Sequence, residues 1–100
     1  DFVYVADVAG AIFRAATTPA NGVYNVGTGQ PISVLALADT LKALTQSDAS
    51  HEFAPPRLGD VRSSTANIEA IADALGWAPD HTLAEGLQDT LAWYREQLAR

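Results

Sequence analysis

A short polar loop near the middle of the chain carries the residues best suited to chemistry. Arg57 and Arg62 are two of only six basic residues in the sequence, and Asp60 lies between them. Two prolines precede these residues and Gly59 lies among them, so the backbone is stiff on approach and free to turn sharply. The planar donors of arginine suit phosphate oxygens, and a carboxylate can accept hydrogen bonds from sugar hydroxyls. The loop is therefore a candidate site for a phosphate linked to a sugar.

The same loop can be interpreted more simply as an exposed turn. An arginine and an aspartate that pair on a protein surface add little to stability, so the loop residues by themselves leave both interpretations open. The net charge of the chain is −6, which argues against a nucleic-acid-binding protein with a basic face. That charge would repel a phosphorylated ligand at long range, so such a ligand would need the arginines that this loop brings close together.

Other chemistries find little support in the sequence. The chain has no cysteine, which excludes disulfides, thiolate metal ligands and a cysteine nucleophile. His51 and His81 lie far apart, and a metal site needs three or four converging ligands, so we expect no metal. Ser63 and Ser64 have no neighbouring histidine in sequence to activate them. We therefore expect no catalytic, cofactor-binding or metal-binding residue within this chain.

The length and composition indicate one small domain or a part of a larger one. Hydrophobic residues make up 48% of the 100 residues, which is enough for a packed core. No apolar run approaches the roughly 18–20 residues that span a bilayer, so we expect a cytoplasmic protein without a membrane partner. The sequence contains no methionine and opens on residues typical of a strand. We expect it to be a piece of a longer protein.

Around the loop, the sequence predicts an α/β fold with about three short strands and four helices. Aromatic and β-branched residues are typical of strands, and they recur in three stretches, at residues 2–5, 23–26 and 51–54. Apolar residues at helical spacing indicate helices near residues 8–16, 34–44, 68–75 and 83–98. A strand, a helix and a strand in this order favour parallel pairing with a right-handed crossover.

Helix boundaries have clear signals. Side chains that cap helix N-termini stand before all four predicted helices: Asp7, Ser33, Asn67, and Thr82 with Glu85 in a capping box. Gly76 suits the left-handed position that ends a helix. We expect Trp77 and Trp93 to lie in a core or an interface.

The turn at Gly27-Thr28-Gly29 resembles only the beginning of a dinucleotide fingerprint. The third glycine of that fingerprint would fall at Ile32, and no acidic partner follows at the proper separation. These glycines are better explained as a tight turn at which the backbone approaches a neighbouring part of the protein.

Four ordered stretches together resemble a known family. Residues 1–9 (DFVYVADVA), 23–29 (YNVGTG after Val23), 57–62 (RLGDVR) and 75–87 (LGWAP followed by LAEGL) are similar to signatures of the extended short-chain dehydrogenases. The likeness is to their NAD-dependent nucleotide-sugar epimerases and dehydratases, and most of all to the UDP-glucose 4-epimerases. It covers nearly the whole chain and implies the C-terminal part of a Rossmann-type enzyme.

The resemblance implies a division of labour that this chain would share with a lobe it lacks. In the family an N-terminal Rossmann lobe binds NAD and carries a catalytic Tyr-x-x-x-Lys pair, which is absent from this sequence. Residues 1–29 would adjoin that lobe, and residues 30–100 would bind the nucleotide sugar, a UDP-sugar by the same likeness. By the family pattern Arg57 contacts the diphosphate and Asp60 the ribose hydroxyls, with Arg62 completing the substrate-binding set. The chain by itself is expected to be inactive.

Two alternatives to a 4-epimerase stay open. One is an NAD(P)-dependent dehydratase or reductase that acts on a related nucleotide sugar. The other, from a different class, is a non-catalytic assembly module, because the predicted helix at residues 8–16 has an unusually broad apolar face. That face also leads us to expect a homodimer or self-association of the chain.

Overall fold

The computed structural model describes residues 1–99. This part of the chain contains four helices: α1 (Val5–Thr17), α2 (Val34–Thr45), α3 (Glu69–Leu75) and α4 (Leu83–Leu98). Helix α1 packs against α3, and α2 packs against α4. The helices within residues 1–99 are all too short or too polar to cross a membrane.

The predicted α/β class is wrong for this chain, because residues 1–99 contain no strand. A strand exists only where its backbone pairs with a neighbour. Outside the helices, the hydrogen bonds described between backbone groups are turn and cap contacts that join residues close in sequence, apart from one between the amine of Asp1 and the carbonyl of Ser64. The predicted strands at 23–26 and 51–54 are not helical but have no such neighbour, and the one at 2–5 runs into α1. Aromatic and β-branched residues show that a segment would fit into a sheet. They do not show that a second strand is present to pair with it.

Two of the predicted N-caps are confirmed by their hydrogen bonds. The hydroxyl of Ser33 accepts from the backbone N–H of Ala36 at 3.0 Å. The hydroxyl of Thr82 accepts from the N–H of Glu85 at 3.2 Å, while the Glu85 carboxylate accepts from the N–H of Thr82 at 3.0 Å. This reciprocal capping box fixes the start of α4.

The helix ends also follow local rules. Gly76 is left-handed (φ 65°), as predicted, and its N–H donates to the carbonyl of Ala72. The N-cap of α3 is Ile68 and not Asn67 as predicted, although the Asn67 side chain accepts from the N–H of Glu69 at 3.0 Å. The prediction for α1 is wrong, because this helix begins at Val5 and Asp7 lies inside its first turn.

The buried core lies where α1, α3 and the segment after α3 meet. Its members are four apolar residues, Ala11, Ile71, Leu75 and Trp77. Trp77 is 3% exposed, which confirms its predicted core position. Trp93 on α4 is 55% exposed and contacts only the edge of the Tyr94 ring among the aromatic pairs described. The core is therefore small and one-sided.

Candidate functional site: an exposed loop between two anchors

The loop at residues 57–62 forms a tight turn. The N–H of Asp60 donates to the carbonyl of Arg57 at 3.2 Å. Gly59 is left-handed at φ 89°, a conformation that side chains rarely adopt. The turn brings the side chains of Arg57 and Asp60 to the same side of the loop.

Arg57 and Asp60 form a loose surface ion pair. Nε of Arg57 lies 3.5 Å from Oδ2 of Asp60, and the two side chains are 88% and 54% exposed. Such a pair is screened by water and contributes little to stability. Both groups can therefore leave each other for a ligand at small cost.

Arg62 occupies a different position from the pair. It lines an open cleft of about 440 Å³, together with Asp1, Phe2, residues 31–34 and residues 63–65. No hydrogen bond or ion pair described within residues 1–99 joins it to Arg57 or Asp60. The structure thus brings together two of the three predicted substrate-binding residues.

The Gly27-Thr28-Gly29 turn holds an anion from its own chain. The Asp1 carboxylate accepts from the N–H of Thr28 at 2.9 Å, from its hydroxyl at 2.8 Å, and from the N–H of Gly29 at 3.0 Å. Consecutive N–H groups of this kind often bind phosphate. Here those donors are already engaged.

The same carboxylate reaches the segment after the loop. Oδ2 of Asp1 accepts from the N–H of Ala66 at 3.1 Å. A Cβ at Gly27 would lie 2.7 Å from Cβ of Ala66 and 2.9 Å from Oδ2 of Asp1. Only glycine allows the two segments to approach so closely around the carboxylate, and no local sequence pattern indicates this contact.

A second contact that no local sequence pattern indicates joins Asp7 to His81. Asp7 is 4% exposed. Its Oδ1 lies 2.8 Å from Nδ1 of His81, and its Oδ2 accepts from the backbone N–H of His81 at 3.2 Å. An ionised carboxylate can only accept, so Nδ1 of His81 carries the proton. The Tyr4 ring packs edge-on against the His81 ring, with 4.9 Å between the two ring centroids.

The pKa values of both partners reflect this contact. Burial would raise the pKa of Asp7, but hydrogen bonds from the His81 ring and from the backbone outweigh burial, so the pKa is lowered. The hydrogen bond to Asp7 raises the pKa of His81 against the effect of its own burial. The two charged forms therefore stabilise each other. The pair joins the first turn of α1 to the residue that precedes the N-cap of α4.

Comparison with known proteins shows which proteins the chain is similar to. No protein-family model matches the chain. The chain is 37% identical over 98 residues to a UDP-glucose 4-epimerase of Mycolicibacterium smegmatis, covering 97% of this chain and 31% of that protein. It is 40% identical, with a TM-score of 0.93, to the crystal structure of UDP-glucose 4-epimerase with UDP-glucose from Thermotoga maritima, covering 98% of this chain and 32% of that chain.

Over nearly its whole length the chain is similar to proteins of the NAD-dependent nucleotide-sugar epimerase and dehydratase family. The resemblance to a C-terminal part of this family is thereby confirmed. A further solved structure, the Bordetella bronchiseptica enzyme WbmF in complex with NAD⁺ and UDP, is 29% identical to this chain with a TM-score of 0.82, covering 99% of this chain and 29% of that chain. The chain spans about a third of the length of the relatives it matches.

The residues of this chain do not fit NAD. Its one Gly-x-Gly turn has its backbone donors engaged by Asp1. The sequence also lacks a third glycine at position 32 and any Tyr-x-x-x-Lys pair. We therefore assign no residue of this chain to the cofactor.

Proposed function

We propose that this chain is the nucleotide-sugar-binding part of an NAD-dependent 4-epimerase similar to UDP-glucose 4-epimerase. The observation that carries the proposal is the exposed, loosely paired Arg57 and Asp60, in a chain whose backbone follows a UDP-glucose-bound epimerase with a TM-score of 0.93. Arg57 would bind the diphosphate and Asp60 the ribose hydroxyls, with Arg62 as a further basic group beside the cleft.

The electrostatics support these roles. The chain carries a net charge of −6, so a diphosphate must find its attraction locally. Arg57 presents a planar fork of donors that suits phosphate oxygens. Its contact with Asp60 is 3.5 Å long and exposed to solvent, so it is weak enough to be exchanged for a contact with a ligand. Asp60, once released, is acceptor-only and suits the two hydroxyls of a ribose.

In the proposed enzyme this chain would bind and orient substrate and carry out no bond-breaking step. NAD, in a lobe outside this chain, would supply hydride chemistry at the sugar. Binding the non-reacting nucleotide fixes the sugar in position, which is how remote contacts serve catalysis. Because the sequence lacks Tyr-x-x-x-Lys, the chain by itself would be inactive.

The division of the chain remains part of this proposal. Residues 1–29 would adjoin the NAD lobe, and residues 30–100, of which residue 100 lies outside the described part, would form the substrate lobe. The hydrogen bond from the N–H of Ala66 to the Asp1 carboxylate joins the two parts. The two parts would therefore move as one.

Two other functions fit some of these observations. A dehydratase or reductase of the same family would use the loop in the same way on a related nucleotide sugar. An assembly module is favoured by α1, where Val5, Ile12 and Phe13 are 71%, 65% and 69% exposed. That face would serve a homodimer or self-association, and light scattering that finds a monomer over a wide concentration range would exclude this alternative.

The proposal is tested by calorimetric titration of the full-length protein with UDP. Replacing Arg57 with alanine should raise Kd about tenfold or more, because a hydrogen bond to a charged group contributes roughly 1.5–3 kcal/mol. Arg95→Ala is the matched control, since it removes the same charge from an exposed position on α4. Equal affinities of the wild type and Arg57→Ala would refute the proposed role of the loop.

A further inference from the structure

The candidate binding loop is fixed to the rest of the fold at two places. Upstream, Nε2 of His51 lies 2.7 Å from Oδ1 of Asp39 on α2. Downstream, the N–H of Ala66 donates to the Asp1 carboxylate at 3.1 Å. Between these points, the hydrogen bonds and ion pairs described within residues 1–99 join loop residues to one another. The one exception among them is the carbonyl of Ser64, which accepts a hydrogen bond from the amine of Asp1. The position of the loop depends on these anchors.

The two anchors differ in strength. The His51–Asp39 contact is a single bond with 62% of the Asp39 side chain exposed, and exposed pairs contribute little. Asp1 instead receives four hydrogen bonds from three residues, Thr28, Gly29 and Ala66. Both of its oxygens are used, and hydrogen bonds to a charged acceptor are the stronger kind.

From this geometry we infer that Asp1 is a positioning residue for nucleotide binding, which fastens the segment after Arg62 to the Gly27-Thr28-Gly29 turn. The inference rests on the proposed function of the loop. Arg62 is separated from Ala66 by only three residues, and both Arg62 and Asp1 line the same cleft. Asp1 would therefore act on the ligand through the backbone, without touching it.

The two ends of this contact can be separated by mutation. Asp1→Ala removes the acceptor from both segments. Thr28→Val removes one bond of 2.8 Å on the turn side and leaves the bond to Ala66 in place, so it is the matched control. Asp1→Asn retains one accepting oxygen and should give an intermediate result.

The first measurement needs no ligand. Hydrogen exchange of the full-length protein, followed by mass spectrometry, would report on a peptide covering residues 63–68. Asp1→Ala should accelerate exchange there about tenfold or more, since local opening sets the exchange rate of a weakly held segment. Thr28→Val should leave that peptide at the wild-type rate. Unchanged exchange in Asp1→Ala would overturn the inference.

The second measurement is UDP binding and steady-state kinetics of the same variants. Asp1→Ala should raise Kd for UDP about fivefold or more, which is within the range of coupling between residues that share a network. It should raise KM for the nucleotide sugar and leave kcat near the wild-type value, the pattern of lost uniform binding. Thr28→Val should change Kd less than about twofold.

The possible results separate this inference from the function on which it rests. Faster exchange with unchanged UDP affinity, while Arg57→Ala binds weakly, would show Asp1 to be purely structural and overturn the inference. Equal weakening by Thr28→Val and Asp1→Ala would overturn it too, because general loosening of the turn would then be the cause. Wild-type UDP affinity in Arg57→Ala would instead count against the proposed function, and the exchange data would still show whether Asp1 holds the segment.

Discussion

Nδ1 of His81 lies 2.8 Å from Oδ1 of Asp7, although 74 positions separate the two residues in the sequence. Asp7 belongs to the first turn of α1, and His81 immediately precedes the capping box that begins α4. The contact therefore sets the position of one helix start relative to the other. Its two partners have pKa values shifted in opposite directions, so its strength depends on pH.

The Asp7–His81 contact should give the fold a stability optimum at mildly acidic pH. The lowered pKa of Asp7 means that its contribution is present above the unfolded value of about 3.9 and is lost as pH falls through the folded value. The raised pKa of His81 means that its contribution is complete below about 6.5 and is lost as pH rises through the folded value. Urea unfolding of wild type and Asp7→Asn should differ most between about pH 4 and 6.5.

The exposed pair of His51 and Asp39 provides the control for this experiment. Its nitrogen and oxygen are 2.7 Å apart, as close as in the buried pair, but 62% of the Asp39 side chain is exposed. Asp39→Asn should change stability by about 0.2–1 kcal/mol, and Asp7→Asn by about 1–3 kcal/mol, since it leaves buried donors poorly satisfied. A pH-independent effect of Asp7→Asn would show that the charge of the pair is unimportant.

Trp77 should carry much more stability than Trp93. Its ring is 3% exposed, and its indole N–H donates to the carbonyl of Asp7 at 3.0 Å. Trp77→Phe loses that bond and part of the packing, which should cost about 1–3 kcal/mol. Trp93→Phe changes a half-exposed position and should cost less than about 0.5 kcal/mol. Thermal unfolding measures both losses of stability. Acrylamide should quench the fluorescence of Trp77→Phe more strongly than that of Trp93→Phe, because the tryptophan that remains in Trp77→Phe is the exposed Trp93.

Two glycine-to-alanine substitutions should have opposite effects on stability. At Gly27 the new Cβ would lie 2.7 Å from Cβ of Ala66, and such overpacking typically costs about 1–3 kcal/mol. At Gly10, inside α1, the nearest atom would be Nε1 of Trp77 at 3.8 Å, which is ordinary contact. Alanine there should stabilise the helix by roughly 0.5–1 kcal/mol. Calorimetry would decide, and equal melting temperatures would contradict the tight approach at Gly27.

The features that could be predicted from the sequence are those decided within a few residues. The hydroxyl of Ser33, the Thr82–Glu85 capping box and the left-handed Gly76 each depend on a local hydrogen bond or a local steric rule. The residues that supply those bonds are neighbours in sequence. For the same reason the turn at Gly59 could be predicted, since its left-handed backbone is a property of one residue.

The features that could not be predicted depend on partners far along the chain. Asp7 has the right side chain for an N-cap, but His81 provides a buried charged partner, and α1 begins earlier, at Val5. The contacts of Asp1 could not be predicted because its partners are 27 to 65 positions away in the sequence. The predicted strands failed for the same reason. Segment 23–26 has the composition of a strand, but within residues 1–99 nothing pairs with its backbone.

Arg57→Ala in the full-length protein should raise KM for a UDP-sugar about tenfold or more, because a hydrogen bond to a charged group contributes roughly 1.5–3 kcal/mol. The value of kcat should change little, since Arg57 would contact the nucleotide and not the reacting carbon. Arg57→Lys should restore only part of the affinity, because lysine keeps the charge but lacks the planar fork. The side chain of Arg57 is 88% exposed. The wild type, Arg57→Ala and Arg57→Lys should therefore unfold at the same temperature. A KM equal to that of the wild type in Arg57→Ala would mean that the diphosphate is bound elsewhere.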